Sequence, residues 1–102
     1  MSVDDVFVAL ADPTRRQLLE ALGRRPASSA TSLAGEVPVS RQAVVKHLGV
    51  LRDSQLVTSH RAGKEVLFSV RPERLVATAS WMTELAATWQ QRLLLLKQAA
   101  ES

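Results

Sequence analysis

The sequence predicts a small, mainly α-helical domain that contains one two-stranded β-hairpin. Apolar residues recur every three or four positions over most of the 102 residues, which is the pattern of a helix with one buried face. Residues 57–70 have a different period, because two β-prone runs flank a stretch in which Gly63 can supply the positive φ of a tight turn. We expect residues 1–102 to form a single domain with a modest core, which self-association often completes.

The first predicted helix lies within residues 1–11. Ser2 is a plausible N-terminal cap, and acidic residues follow in the first turn, where the helix dipole favours them. Its single apolar stripe consists of Val3, Val6, Phe7 and Leu10. The stripe predicts a short helix of about ten residues with one face for packing.

The second predicted helix is marked at both ends. Asp12 is suited to cap it, Pro13 to occupy its first position, and Gly23 to follow its last turn. Arg15 and Arg16 lie near its N-terminus, where the helix dipole disfavours cations. A nearby phosphate would explain them, and two solvated arginines on an exposed turn are the alternative.

Residues 24–31 are small and polar, lack periodicity and are expected to form a loop, and residues 31–55 predict a helix-turn-helix. A short helix leads to a turn near Pro38, and Ser40 opens a second helix by accepting from its free amide protons. One face of the second helix consists of Val44, Leu48, Leu51 and Gln55, of which only Gln55 is polar. This face is expected to lie in the core, which leaves the opposite face available.

The available face begins with long polar side chains. Arg41, Gln42 and Lys46 lie in the first two turns, from which a recognition helix in the major groove contacts bases and phosphates. Gly49 continues this face without a side chain, at a cost of roughly 1 kcal/mol relative to alanine, and so suits close approach by a partner. A merely solvated helix face is the alternative.

The hairpin that follows would be the wing of a winged helix-turn-helix. His60, Arg61 and Lys64 cluster near its tip, where they would reach a phosphate backbone or a minor groove. Charges that only promote solubility are the alternative. Between residues 13 and 74 the chain carries eleven basic and five acidic residues, although its total net charge is only +3. This distribution indicates a surface that faces a polyanion.

The last predicted helix spans residues 72–99 and has more apolar surface than a small domain can cover. A seam of apolar residues runs along it, and Trp81, Leu94 and Leu95 lie outside that seam. We therefore expect a homodimer formed by this helix and the first one, with an intramolecular cap as the alternative. The expected interface consists of Val3, Val6, Phe7, Leu10, Met82, Leu85, Trp89, Leu93 and Leu96.

Composition excludes several classes of function. The chain has no cysteine, which rules out disulfides and thiolate metal sites, and its longest aliphatic run, 93–96, is far too short to span a membrane. Its acidic start differs from a secretory signal, so a cytoplasmic location is expected. The two histidines have no carboxylate or nucleophile partner at motif spacing, so neither an enzyme nor a cofactor is expected.

The chain resembles the ArsR/SmtB family of winged helix-turn-helix repressors. The resemblance spans about residues 6–96 and is carried by Ala9-Leu-Ala-Asp-Pro-Thr-Arg-Arg-Gln-Leu-Leu19, Val39-Ser-Arg-Gln-Ala-Val-Val-Lys-His-Leu-Gly-Val-Leu51, Leu56-Val57 and the hairpin around Arg61-Ala62-Gly63-Lys64. It implies the element order α-α-α-α-β-β-α, a symmetric homodimer through the first and last helices, and repression by occupying an operator. Metal-sensing members carry a cysteine pair on the recognition helix, or His and Asp ligands on the last helix. This chain resembles the branch without them, and no metal is expected.

The expected function is sequence-specific DNA binding by a repressor. Two recognition helices would enter successive major grooves about 34 Å apart on an imperfect palindrome. Gln42 is the best candidate for reading adenine, and Arg41 for guanine or a phosphate, whereas Lys46 and the wing would hold phosphates. The expected DNA-contacting set is Arg15, Arg16, Ser40, Arg41, Gln42, Ala43, Val45, Lys46, His47, His60, Arg61 and Lys64.

Two alternatives concern partners other than DNA. A winged-helix module that docks a protein would have the same fold, but such modules usually have a neutral or acidic recognition face. A dimer cavity lined by Trp81, Met82 and Trp89 could admit an apolar inducer, although aromatic and methionine side chains at helical spacing more often form core. The sequence identifies no inducer.

Overall fold

The computed structural model describes residues 3–101, which form five helices and three strands. In chain order the elements are α1 (Val3–Leu10), α2 (Pro13–Gly23), β1 (Ser28–Ser29), α3 (Ala30–Ala34), α4 (Arg41–Asp53), β2 (Val57–Ala62), β3 (Glu65–Val70) and α5 (Glu73–Glu101). This order confirms the predicted mainly α-helical fold with its hairpin. The predicted cap Ser2 and both ends of the predicted domain lie outside the described residues.

The core lies where the inner faces of α1 to α4 meet the base of the hairpin. Val44, Leu48 and Leu51 of α4 are fully buried, as their spacing predicts. They belong to one apolar cluster that includes Leu18 and Leu22 of α2. Its other members, from α1, α3 and the segments around α4 and the hairpin, include Val6, Leu33, Val37, Leu56, Val57 and Phe68. The core therefore fixes α4 from behind.

The sheet has three strands, in the order β1-β3-β2, rather than the two that the sequence predicts. Its third strand comes from the segment predicted as a loop, where Ser28 pairs with Phe68 and Ser29 pairs with Leu67. Two serines carry no hydrophobic period, so this strand exists because the free edge of β3 accepts its backbone. The Ser29 side chain then caps α3 by accepting from the Ser32 amide at 3.1 Å.

Two helix ends differ from the predictions by one residue. Gly23 is the last residue of α2, and Arg24, not a glycine, is its C-terminal cap. The last helix begins at Glu73, and Pro72 is at the cap position before it, because its carbonyl accepts the first helical hydrogen bond from the Val76 amide at 2.9 Å. Asp12 does cap α2, since its carboxylate accepts from the Thr14 amide at 2.7 Å and from the Arg15 amide at 3.2 Å.

The C-terminus of α4 closes with a left-handed residue that is not glycine. Gln55 has a φ of 60°, the Leu56 amide donates to the Leu51 carbonyl at 2.9 Å, and the Gln55 amide donates to the Arg52 carbonyl at 2.9 Å. These two bonds form a Schellman motif, in which glycine is preferred at the position of Gln55. The helix period predicts Gln55 on the core face, but the left-handed turn ends that period and leaves its side chain exposed.

We expect Gln55→Gly to stabilise the fold. A left-handed conformation destabilises the folded chain by about 1–2 kcal/mol when the residue has a Cβ. Glycine removes this cost, but its greater backbone entropy in the unfolded chain offsets part of the gain. The free energy of unfolding should rise by roughly 0.5–1 kcal/mol, measured by urea denaturation at fixed protein concentration. Gln55→Ala is the control, because it removes the same side chain but retains the Cβ. Equal stability of the two variants would contradict this explanation.

Helix α5 extends well beyond the core. The described chain measures 69 × 24 × 22 Å and has a radius of gyration of 18.4 Å, compared with about 13 Å for a compact domain of 100 residues. Within α5 only Thr78 is buried. In contrast, Val6 of α1 is fully buried inside the single chain, so its predicted place in a dimer interface is wrong. Most of α5 is therefore exposed in the single chain.

Candidate nucleic-acid interface

Helix α4 is held as a rigid platform. The Ser40 hydroxyl accepts from the Ala43 amide at 3.2 Å and so satisfies one free donor of the first turn. The fully buried residues Val44, Leu48 and Leu51 hold the inner face. The cap fixes the backbone of the first turn, and the buried residues fix the inner face. The outer side chains of α4 therefore point in a defined direction.

The outer face carries Arg41, Gln42 and Lys46, and all three are exposed as predicted. The Arg41 Nε donates to the Thr31 hydroxyl of α3 at 2.9 Å, which positions its guanidinium but leaves its charge unneutralised. Within residues 3–101, Gln42 and Lys46 have no hydrogen-bond or ion-pair partner. Two long polar side chains without partners on a fixed helix are available to an external ligand.

Gly49 leaves open space on the same face. A Cβ built at this position would have no heavy atom within 4 Å, apart from its immediate chain surroundings. The φ of Gly49 is not positive, so neither sterics nor backbone conformation within the chain requires a glycine here. Packing inside the chain therefore does not explain why this position lacks a side chain.

The hairpin places two of its three predicted basic residues toward α4. The pair Ala62 and Glu65 closes a two-residue turn in which Gly63 has a φ of 64°, and Lys64 is exposed at the tip. Cross-strand partners share a face of a sheet, so Arg61 lies on the side of Val66. His60 follows the opposite alternation, and the structure separates it from Arg61.

Arg41, Val45 and Lys64 line one groove of about 460 Å³ between α4, the start of α3 and the hairpin. Arg52 and Val66 line the same groove, although neither belongs to the predicted set. Arg52 follows Arg41 by three helical turns, so the helix period already predicts that the two arginines lie on the same face of α4. Val66 lies on the same face of the sheet as the buried Phe68, because side chains alternate along a strand. Its place in the groove therefore depends on the strand register, which the sequence alone does not give.

His47 and Ala43 are half-buried. His47 is held in place by Arg15. The Arg15 Nη1 lies 3.3 Å from His47 Nδ1, its Nε donates to the Ala9 carbonyl at 2.7 Å, and its Nη2 donates to the Val8 carbonyl at 3.0 Å. Arg16 Nη1 donates to the Leu10 carbonyl. The two arginines thus bind carbonyls of the last turn of α1, where the helix dipole favours cations.

These contacts change the interpretation of Arg15 and Arg16. The sequence offers a nearby phosphate to explain cations at the N-terminus of α2, but the structure supplies the C-terminus of α1 instead. The guanidinium of Arg15 is mostly covered, with its side chain 15% exposed, so we leave Arg15 out of the proposed DNA contacts. Arg16 is exposed, and its contact with DNA stays a prediction.

The Asp12 carboxylate completes this junction, and its pKa lies below the ordinary value of 3.8. Partial burial alone would raise this pKa, but the amide protons of Arg15 and Thr14 and the charges of His47 and Arg15 together outweigh it. Because the pKa is lower in the folded than in the unfolded chain, the cap is fully effective above about pH 3.8. Its contribution is lost as the pH falls through the lowered value.

We expect Arg15→Lys to destabilise the fold although it keeps the charge. Lysine cannot reproduce the fork that binds two carbonyls and His47, and a hydrogen bond to a charged group contributes about 1.5–3 kcal/mol. The free energy of unfolding should fall by about 2–3 kcal/mol in urea denaturation. Arg16→Lys, with one exposed contact, is the control and should cost less than about 1 kcal/mol. An unchanged stability in Arg15→Lys would contradict the structural role.

Between residues 3 and 101, no three His, Cys, Asp or Glu side chains are grouped so that they could hold a metal ion. Over the same range, none of the helices has the length and apolar character needed to cross a bilayer.

Comparison with known proteins places the chain among transcriptional regulators. A family model described as a helix-turn-helix domain matches residues 10–60, which run from the end of α1 into β2. The HTH-type transcriptional regulator Rv2034 of Mycobacterium tuberculosis is 38% identical over 92 residues, which cover 90% of this chain and 82% of that protein. The transcriptional repressor SdpR of Bacillus subtilis is 29% identical over 80 residues, covering 78% and 88%.

A solved structure shows the same architecture. An ArsR-like transcriptional regulator from Rhodococcus sp. RHA1 superposes with a TM-score of 0.90 at 43% sequence identity, over 98% of this chain and 91% of that one. These relatives are regulators of transcription, not enzymes, in agreement with the sequence-based prediction. The chain therefore belongs to the ArsR family of winged helix-turn-helix, DNA-binding transcriptional regulators.

Proposed function

We propose that the protein is a repressor that binds a two-fold symmetric operator as a homodimer. Each protomer would place α4 in a major groove and the hairpin beside it, so that two half-sites lie about 34 Å apart. The observation that carries this proposal is the outer face of α4, where Gln42 and Lys46 have no partner within residues 3–101 and Gly49 leaves room. Because its ligand is chromosomal DNA, we infer that the protein acts in the cytoplasm.

The roles of the side chains follow from their chemistry. The Gln42 amide can pair with both the N6 and N7 positions of adenine, which makes it the base-reading residue of the proposal. Arg41, which Thr31 orients, can take guanine or a phosphate. Lys46, Arg61 and Lys64 supply positive charge, which contributes affinity and salt dependence rather than sequence preference.

The dimer is proposed from the apolar surface that the single chain leaves uncovered. Among the described residues, α5 exposes Val76, Trp81, Met82, Leu85, Trp89, Leu93, Leu94, Leu95 and Leu96. Burying one such side chain contributes about 1.5–3 kcal/mol, so leaving all of them in water would be costly. A second copy offers the same surface, and two-fold pairing satisfies both helices at once.

Helix α1 extends this apolar surface. The Phe7 ring packs edge-to-face against Trp81, with ring centres 5.7 Å apart, so α1 lies beside α5. Val8 is 66% exposed next to this pair and is a candidate contact that the predicted stripe omits, because it lies off the helix period. Trp81, Met82 and Trp89 line no enclosed cavity in the single chain, since 42–54% of each is exposed. The interface that we propose therefore includes Val8 and excludes Val6.

Light scattering and DNA titration test the proposal together. The protein should have the mass of two chains in solution, and it should bind a fragment from upstream of its own gene in the presence of scrambled competitor. Affinity should fall steeply with salt, because each phosphate contact releases counterions. A monomer, or binding no tighter than to competitor, would contradict it. The latter result would favour a protein-docking role, which the names of the relatives do not support.

Gly49→Ala should separate stability from DNA binding. Alanine stabilises a helix interior by about 1 kcal/mol relative to glycine, and the added methyl meets no atom of the chain. We therefore expect a more stable protein. It should bind its operator more weakly, since the methyl would occupy space that the DNA needs. Chemical denaturation and DNA titration measure the two effects. Unchanged affinity in the more stable variant would show that Gly49 is not at the interface.

A further inference from the structure

The groove between α4 and the hairpin combines charge with apolar surface. Arg41 and Arg52 of α4 and Lys64 of the hairpin contribute three cations. The side chains of Arg52 and Lys64 have no ion-pair or hydrogen-bond partner in the part of the chain that the structure describes, and the side chain of Arg41 binds only the neutral Thr31. The one carboxylate in the wall is that of Glu65. The groove therefore has an excess of positive charge.

The apolar part of the wall comes from both sides. Val45 of α4 is 46% exposed, Val66 of β3 is 43% exposed, and the buried Phe68 closes the base beside them. A single exposed valine is ordinary, but these two line one concavity and so form a continuous apolar surface there. DNA phosphates alone would leave this apolar surface without a matching partner, because they are polar and charged.

The volume of the groove fits a small organic molecule. At about 460 Å³ it lies within the range of roughly 300–1,000 Å³ that is typical of ligand sites, which combine apolar walls with a few charged groups. Charge, apolar lining and size together favour an anion that carries an apolar chain.

We propose that this groove binds an anionic amphiphile, in which a carboxylate is carried on a medium-length aliphatic chain. The carboxylate pairs with Arg52 and Lys64, and the chain lies against Val45 and Val66. Because Lys64 and Arg41 also belong to the proposed DNA surface, an occupant neutralises part of that surface and weakens operator binding. This last consequence rests on the proposed function, whereas binding of the ligand does not.

Octanoate is the probe, and 1-octanol is its uncharged match. In NMR titrations of the full chain without DNA, octanoate should shift the methyl signals of Val45 and Val66. It should bind about tenfold more tightly than octanol, because charge-assisted bonds to the carboxylate add to the same apolar contact. Arg52→Gln should reduce the preference for octanoate, and Val66→Ser should weaken both compounds. Lys97→Gln, on the distant α5, is the control and should change neither.

The outcomes separate this inference from the proposed function. Shifts confined to α5, equal binding of both compounds, or affinity unaffected by Arg52→Gln and Val66→Ser would each overturn it. If octanoate binds as described, it should also lower operator affinity in the unaltered protein but less in Val66→Ser. A protein that binds octanoate in the groove but never binds DNA specifically would keep the ligand site and refute the proposed function. Specific DNA binding without octanoate binding would refute the ligand site and keep the proposed function.

Discussion

Leu93→Glu is expected to convert the dimer to a monomer and to lower operator affinity at least about a hundredfold. Leu93 is 60% exposed on α5, among other apolar side chains that have no cover in the single chain. Pairing two altered helices would bury two unpaired carboxylates, each at a cost of several kcal/mol. A monomer binds one half-site only and loses the gain of about 10²–10⁴ that a linked second site provides. Light scattering and DNA titration measure the two losses.

Gln91→Glu is the matched control for this variant. It adds the same charge to α5 two residues earlier, about 200° around the helix from Leu93. It should remain a dimer and keep its affinity, while circular dichroism confirms that both variants are folded. If Leu93→Glu also stays dimeric with full affinity, then α5 is not the interface, and its apolar surface requires a different partner.

Gln42→Ala and Lys64→Ala should weaken binding in different ways. A bidentate contact to a base is worth about 1–3 kcal/mol of discrimination, so Gln42→Ala should relax base preference at one position in each half-site. Lys64→Ala should weaken binding to all sequences alike and reduce the slope of log affinity against log salt by about one per lost contact. A scan of operators with single-base changes, repeated at two salt concentrations, measures both effects.

The two variants control for each other because neither change should affect the fold. Both side chains are exposed and have no partner among the described residues, so the free energy of unfolding should be unchanged. The assignment of roles fails if both variants lose affinity uniformly, or if Lys64→Ala alters base preference. Either result would move base reading to another side chain of the outer face, with Arg41 the first candidate.

The recognition helix was predictable because local signals determine it. Ser40 caps it, and Val44, Leu48 and Leu51 recur at helical spacing, so both its start and its buried face follow from neighbouring residues. Strand β1 was not predictable, because its two serines pair only with an edge that forms elsewhere in the chain. The position of Gln55 was predicted incorrectly because the helix period no longer applies after the C-terminal cap.

The site was likewise predictable only where residues close in sequence determine it. The exposure of Arg41, Gln42 and Lys46 follows from their place opposite the core face. The partners of Arg15 could not be foreseen, since they are carbonyls of another helix that the tertiary fold brings within 3.0 Å. The groove that joins Arg52 to Val66 depends in the same way on how the hairpin packs across α4.

Selection of bound sequences from a random DNA library tests most directly whether this chain reads a symmetric operator as a dimer. The selected sequences should contain a two-fold symmetric motif whose half-sites are centred about 10 base pairs, or a multiple of that spacing, apart. With Gln42→Ala the same motif should return with one degenerate position in each half. A motif with a single half-site, or no enrichment over the starting library, would contradict the proposal.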